Sequence, residues 1–219
     1  MAEAIFAVYG ASGFGREIMP LARAKILAQG EPSERLYFID DNLPASHVNG
    51  QQVVTYSEFL QIPASRRVVA LAIANSQIRE RLAARCEADN IEPWSLQAGN
   101  VIVLDEVEIS SGALLSPFVT LTSNIKIGRY FHANIYSYVA HDCNIGDFVT
   151  FAPGVKCNGN VTIEDHAYIG TGAILKQGQP NQPLIVGKGA VIGMGAVVTK
   201  SVPAGTVVVG NPARPLSKD

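Results

Sequence analysis

The chain is short of charge, of cysteine and of aromatic residues. Only 16% of its 219 residues are Asp, Glu, Lys or Arg, and the formal net charge is -2. So balanced a chain is not drawn strongly to nucleic acid or to an anionic membrane, and neither is expected as a partner. The three cysteines, Cys86, Cys143 and Cys157, are odd in number and unpatterned. Reduced thiols in a cytoplasmic protein are therefore expected, with no disulfide framework and no bound metal. The N-terminal MAEAIFAVYGASG has no basic region and only a short apolar run. Neither a signal peptide nor a transmembrane span is expected. Apolar residues are plentiful, at 47%. That suffices for the core of one large domain or two small ones.

Those apolar residues are periodic in the second half. Val103, Ile109, Leu115, Leu121, Ile127, Ala133, Val139, Ile145, Phe151, Cys157, Ile163, Ile169 and Leu175 follow at steps of six, and all thirteen are apolar. At the chain's own apolar frequency such a run is on the order of one in ten thousand or less for a fixed phase. The residue after each is usually small or turn-forming, as at Ser110, Gly128 and Gly146. An α-helix cannot hold this register, because 3.6 does not divide six. Short strands separated by turns can. Three such units, 18 residues, make one triangular coil of a β-helix, with coils about 4.8 Å apart. The phase breaks at LKQGQPNQP and resumes at Val186, Ile192 and Val198. One loop therefore projects after residue 175. SVPAGTVVVGNPARP reads as a capping tail.

The first half alternates differently. AIFAVYG and RRVVALAIA read as buried parallel strands, and RLYFIDD as another. REIMPLARAKILAQG and NSQIRERLAARCEAD read as helices. Three or four strands of a small parallel α/β sheet are expected. The turn Gly10–Gly15 joins the first strand to the first helix. Its amides and the helix N-terminus suit a phosphate, and Asp40 and Asp41 end the second strand where ribose hydroxyls would sit. The plain alternative is a tight turn with no ligand and a solvated strand end. With only about 95 residues before the coil, one nucleotide fits this sheet better than a dinucleotide.

The six-residue step also locates chemistry. His141 and Asp142 are out of phase with the inward columns, so they lie on a turn and point away from the core. The alternative for His141 is a solvated surface side chain. One coil further, at 159, stands a glycine, its backbone about 5 Å away. A bare backbone there allows close approach by a ligand and an N–H for an oxyanion. Histidine near its ordinary pKa can take a proton from an attacking amine, and a carboxylate neighbour such as Asp142 can orient it. No Cys or Ser stands at this turn as a nucleophile.

The repeat and the ending VVVGNPAR resemble the hexapeptide-repeat acyltransferases over about residues 100–215. The motifs GASGFG, FIDD, AIANS, HDCNIG and APGVKCNGN occur in the order seen in the sugar-nucleotide acetyltransferases, and that resemblance spans nearly the whole chain. It implies a small N-terminal parallel α/β domain of Rossmann-like form, residues 1–96, which binds the nucleotide sugar. A left-handed parallel β-helix, residues 97–219, follows as the acyltransferase domain. It implies acetyl-CoA as cosubstrate, a nucleotide amino sugar as acceptor, and a homotrimer with active sites between subunits. Members of this family act on UDP-, GDP- and dTDP-linked 4-amino sugars, and the resemblance is greatest to those that act on GDP-perosamine.

By this resemblance His141 is the base, Asp142 its partner, and Asn134 lies near the substrate amine. Ser12, Gly13, Phe14 and Gly15 meet the diphosphate, and Asp40 and Asp41 meet the ribose or base. Asn75 and Arg79 flank the same pocket. Thr150, Gly159, Thr171, Gly193, Met194 and Gly195 belong to the CoA site. Phe14 and Thr150 stand where many relatives have histidine. Read from its helix alone, Arg79 sits with Arg81, Arg85, Glu80 and Glu87 on a solvated face. Cys143 and Cys157 read as core. His132 and His166 read as solvated, His47 as an exposed loop residue, and Trp94 as packing at the domain junction. Lys188 and Lys200 are either CoA-phosphate contacts or plain surface charges. Two other functions compete: O-acetylation of a nucleotide sugar such as an activated sialic acid, and a non-catalytic nucleotide-sugar-binding protein.

Overall fold

The computed structural model describes residues 4–42 and 45–216. Contacts divide the chain into two compact units, residues 1–96 and 97–219.

The first unit is a sheet of six strands, two of them only two residues long. These are β1 (Ala4–Tyr9), β2 (Leu36–Ile39), β3 (His47–Val48), β4 (Gln51–Val54), β5 (Arg66–Leu71) and β6 (Glu92–Pro93), in the order β3-β4-β2-β1-β5-β6. All pairs are parallel except β3 with β4. The helices are α1 (Gly13–Ala28), α2 (Tyr56–Gln61) and α3 (Ser76–Ala88). The central strand β1 is an apolar run buried from Ile5 to Tyr9, as a strand covered on both faces must be. Local chemistry sets the helix starts. Thr55 and Glu58 form a capping box on α2, and Asn75 Oδ1 accepts from Ile78 N–H at 3.0 Å on α3. The strand count exceeds the three or four expected from sequence. β3 arises because Asn49 and Gly50 take φ of +49° and +76°, the two-residue turn that closes a hairpin. His47 is thus a strand residue, exposed as expected. Trp94 packs on Phe6 inside this unit, with ring centroids 5.1 Å apart and the planes tilted by 40°.

The second unit is a parallel β-helix with three faces. The first stacks Leu114–Leu115, His132–Ala133, Thr150–Phe151, Tyr168–Ile169 and Val191–Ile192. The second stacks Ile102–Val103, Thr120–Leu121, Tyr138–Val139, Lys156–Cys157, Ile174–Leu175 and Val197–Val198. The third stacks Val107–Ile109, Ile125–Ile127, Asn144–Ile145, Val161–Ile163 and Leu184–Val186. Register advances by 18 residues per coil until Val161, which pairs with Leu184, a step of 23. The five extra residues form the projecting loop, closed by reciprocal Gln179–Gln182 bonds of 3.0 Å. The inward columns form one continuous core that includes Cys143 and Cys157. At the first coil the columns run out. Val103 is 39% and Ile109 37% exposed, since no earlier rung in this unit covers them.

Three residues after each inward position the backbone turns left-handed. Positive φ recurs every sixth residue from Glu106 to Gly172. Where an aromatic side chain occupies this costly conformation, it stacks on the ring one coil away. Phe118 lies on Tyr136 at 4.7 Å, Tyr130 on Phe148 at 5.3 Å, and Phe148 on His166 at 5.4 Å.

Candidate active site

The three edges of the prism carry different chemistry. The edge through Asn124, Asp142 and Asn160 carries the proposed base. His141 Nδ1 lies 2.7 Å from Asp142 Oδ2, and Asn124 Nδ2–H donates to Asp142 Oδ1 at 3.3 Å. A carboxylate only accepts, so the hydrogen sits on Nδ1 and the Nε2 lone pair is free of it. Nε2 has no hydrogen-bond partner among the described residues. The His141 N–H, followed by the Asn124 amide, holds the Asp142 carboxyl below its ordinary range. Asp142 therefore stays ionised through neutral pH, and the contact is lost only when acid protonates it. Asp142 has φ of +57°, which turns its carboxylate back onto the preceding ring.

Gly159 stands against the imidazole. A Cβ built there would lie 2.5 Å from His141 Cε1 and Nε2, so the ring occupies the space a side chain would need. The peptide before Gly159 is oriented from inside. Asn158 O accepts from the buried Cys143 Sγ at 3.2 Å, and His141 O lies 3.6 Å from the same sulfur. Because N–H and C=O point oppositely across a trans peptide, the Gly159 amide is directed away from the interior. It meets no acceptor among the described residues. Replacing Asp142 by asparagine is expected to lower kcat roughly 10- to 100-fold, by freeing the wrong tautomer and leaving the imidazolium unpaired. The effect should be smaller than for a buried triad, because both side chains are exposed. A kcat-against-pH profile of the variant checks it.

The other predicted residues fall elsewhere. Thr171, Met194 and Gly195 share the edge that also carries Phe118 and Tyr136. Gly195 N–H donates to Thr171 O at 2.8 Å, and Met194 is 82% exposed. Asn134 belongs to this edge too, and its Nδ2–H donates to Phe151 O at 2.7 Å, tying adjacent coils. Within one chain, then, Asn134 and these CoA-site residues stand one edge away from His141. Thr150 lies on the first face, between His132 and Tyr168 in register, and is buried. His132 is also buried, at 0% exposure, contrary to the solvated reading. Its register neighbours Leu114 and Thr150 are buried as well. His166 is not without a partner, since it stacks on Phe148. Lys188 Nζ pairs with Asp165 at 3.5 Å.

In the first unit the glycine-rich turn, Asp40 and Asp41 converge at the ends of β1 and β2. Ala11 N–H donates to Asp40 Oδ2 at 3.0 Å, and Asn42 N–H to Asp40 Oδ1 at 3.0 Å. Tyr9 OH donates to Asp41 Oδ2 at 2.6 Å and Tyr56 N–H to Asp41 Oδ1 at 2.8 Å. Each carboxylate oxygen thus already accepts one bond and holds the turn in place. A Cβ at Gly15 would sit on the Gly10 carbonyl oxygen, so only glycine lets α1 start this close to the strand. Ser12 precedes α1 without a side-chain cap bond, and no acidic residue occupies the first turn. The exposed Ser12 and Gly13 flank the positive end of the helix dipole. Asn75 caps α3 rather than standing free. Arg79 corrects its sequence reading: it is fully buried. Its Nη1–H donates to Ile73 O at 2.7 Å and Ala74 O at 3.3 Å, bracing the loop that faces Gly10. Burial pulls its guanidinium down to about 9. Its helix pattern showed charge, but not that the loop carbonyls turn inward to meet it. Arg85 lies 3.8 Å over the Tyr56 ring and 3.9 Å from Asp41.

Comparison with known proteins decides the family. A family model described as the PglD N-terminal domain matches residues 6–86. GDP-perosamine N-acetyltransferase of Escherichia coli O157:H7 is 52% identical over 98% of this chain and 97% of its own. The chain belongs to the sugar-nucleotide N-acetyltransferase family. It is an acyltransferase. Among solved structures of the family, WeeI from Acinetobacter baumannii AYE has a TM-score of 0.95 at 60% identity, over 97% of this chain and 100% of that one. The acetyltransferase domain of PglB from Neisseria gonorrhoeae FA1090, solved with acetyl coenzyme A, has a TM-score of 0.85 at 29% identity, over 99% and 100%. Among the described residues no helix is long and apolar enough to cross a membrane.

Proposed function

We propose that this enzyme transfers the acetyl group of acetyl-CoA to the 4-amine of a GDP-linked 4-amino-4,6-dideoxy sugar, GDP-perosamine, with His141 as general base. The observation that carries the mechanism is the His141–Asp142 pair, with its unbonded Nε2 lying against Gly159. The amine nitrogen attacks the thioester carbonyl carbon, and Nε2 takes the amine proton. Negative charge gathers on the carbonyl oxygen, where the outward Gly159 amide can donate. Collapse forms the amide and breaks the C–S bond. The departing CoA thiolate takes the proton from the imidazolium. In this reading acyl transfer is direct: Cys143 and Cys157, the thiols next to this edge, are buried.

Residues 1–96 are assigned the nucleotide sugar, with the diphosphate at Ser12–Gly15 on the α1 N-terminus. The β-helix takes acetyl-CoA. Because Thr171, Met194 and Gly195 stand one edge away from His141, they complete the site from a neighbouring copy in a homotrimer. Three buried free thiols suit a reducing cytoplasm. The substrate assignment leans on the Escherichia coli relative.

Thiol release from acetyl-CoA tests the reading, with GDP-, UDP- and dTDP-linked 4-amino-4,6-dideoxy sugars as acceptors. The expected result is a kcat/KM for the GDP sugar at least about tenfold above the others. Release only with a hydroxyl acceptor would make the enzyme an O-acetyltransferase. Absence of both release and acetyl-CoA binding by calorimetry would make it a binding protein.

A further inference from the structure

An amide that stabilises an oxyanion must be aimed before the charge develops. Glycine is the residue whose backbone turns most freely. Gly159 has no side chain of its own to hold it, so the restraint on its N–H must come from its neighbours.

Asn158 supplies that restraint from three coils. Its Nδ2–H donates to Leu175 O at 2.7 Å, one coil on, and its Oδ1 accepts from the Tyr138 hydroxyl at 2.9 Å, one coil back. A carbonyl oxygen only accepts, which settles the amide's orientation and leaves Oδ1 for the phenol. Burial raises the Tyr138 phenol above its ordinary range, so it stays protonated and donating at neutral pH. On the inner side the Asn158 carbonyl takes the Cys143 thiol at 3.2 Å. That sulfur is itself hydrogen-bonded to Cys157 and to the Val161 amide, which keeps the thiol in place.

The rest of the turn is tied as well. Asn158 N–H donates to Leu175 O at 3.4 Å, Asn160 N–H to His141 O at 3.0 Å, and Gly178 N–H to Gly159 O at 2.9 Å. From Asn158 N to Asn160 N, the Gly159 N–H alone has no backbone acceptor among the described residues. The bond from an asparagine to the next coil is a general staple, since Asn134 makes it to Phe151 O. At Asn158 a phenol and a thiol are added, and both act on the residue that precedes the donor. We infer that Asn158, gripped by Tyr138 from outside and by Cys143 from inside, is a positioning residue that aims the Gly159 amide at the thioester oxygen. This rests on the Gly159 amide being the oxyanion donor.

Steady-state kinetics on Asn158→Ala and Tyr138→Phe test the assignment, read as thiol release from acetyl-CoA. Asn158→Ala is expected to lower kcat roughly tenfold, a fraction of the about 10²- to 10³-fold that a whole oxyanion donor contributes, with both KM values within about twofold of wild type. Tyr138→Phe removes one hydroxyl and should lower kcat roughly two- to fivefold, again with KM unchanged. The midpoint of the kcat-against-pH profile should stay where it is in both variants, because the His141–Asp142 pair is untouched. A purely structural role would lower thermal stability and leave the kcat of the folded enzyme as in wild type; that result overturns the assignment. So does a loss confined to KM, or a displaced midpoint, which would put the effect at the base. Should Asn158→Ala fail to fold, Tyr138→Phe decides by the same criteria, since Tyr138 is only half-buried. A wild type that releases no thiol from acetyl-CoA overturns the acyl-transfer reading and this assignment together.

Discussion

Replacing His141 by alanine is expected to lower kcat about 10²- to 10⁴-fold, with the coil intact. The side chain is exposed and contributes nothing to the buried columns, so thermal unfolding and circular dichroism should match wild type. The amine must lose a proton as it attacks, and Nε2 is unbonded and lies against Gly159. Water can replace it only as a weak and unpositioned base. Glutamine in its place fills the space and keeps polarity but cannot take the proton, so it should be as inactive as alanine. Loss confined to KM would show that His141 only holds substrate. Undiminished kcat would falsify the base assignment.

Gly159→Ala comes next in size. Its Cβ would lie 2.5 Å from two atoms of the imidazole, closer than real contacts allow. The backbone there is fastened by Asn158 O to Cys143 and by Gly159 O to Gly178 N–H, so the ring must give way instead. Displacing a base by about 1 Å costs on the order of 10²-fold in rate. The same change at Gly99, where a Cβ meets nothing, serves as the control and should leave kcat unaltered. Stopped-flow or steady-state rates on the two variants decide the matter. Equal rates would mean that the imidazole has another productive position.

Much of the second unit is legible in the sequence because a β-helix repeats one physical environment. An inward position every six residues has the same neighbours above and below, so composition alone reveals it. The outward placement of His141, with Asp142 beside it and Gly159 one coil on, follows from that arithmetic. The same arithmetic separates Thr171, Met194 and Gly195 from His141, since 30 residues is one coil and two-thirds; grouping them in one site came from resemblance, not from spacing. The Asn49-Gly50 hairpin was missed, with His47 read as a loop residue, although an Asn-Gly pair is a strong signal for a two-residue turn.

The first unit is less transparent. Helical periodicity distinguishes apolar from polar faces, but it does not show that Arg79 turns inward to the carbonyls of Ile73 and Ala74. Nor does it show that Asp40 and Asp41 are held by Ala11, Tyr9 and Tyr56. Those partners lie up to 32 residues away and are brought near only when strands pair. His132 misleads for a related reason: the repeat phase places it outward but says nothing of what the outer face meets.

By itself the sequence determined the prism, its phase, its one insertion and the edge on which His141 stands, because stacking propagates a six-residue pattern without reference to anything distant. Tertiary structure alone decided the ring lying on a bare Cα, the inward carbonyl that aims the Gly159 amide, and the burial of Arg79 and His132. These depend on distances between residues that no local period relates.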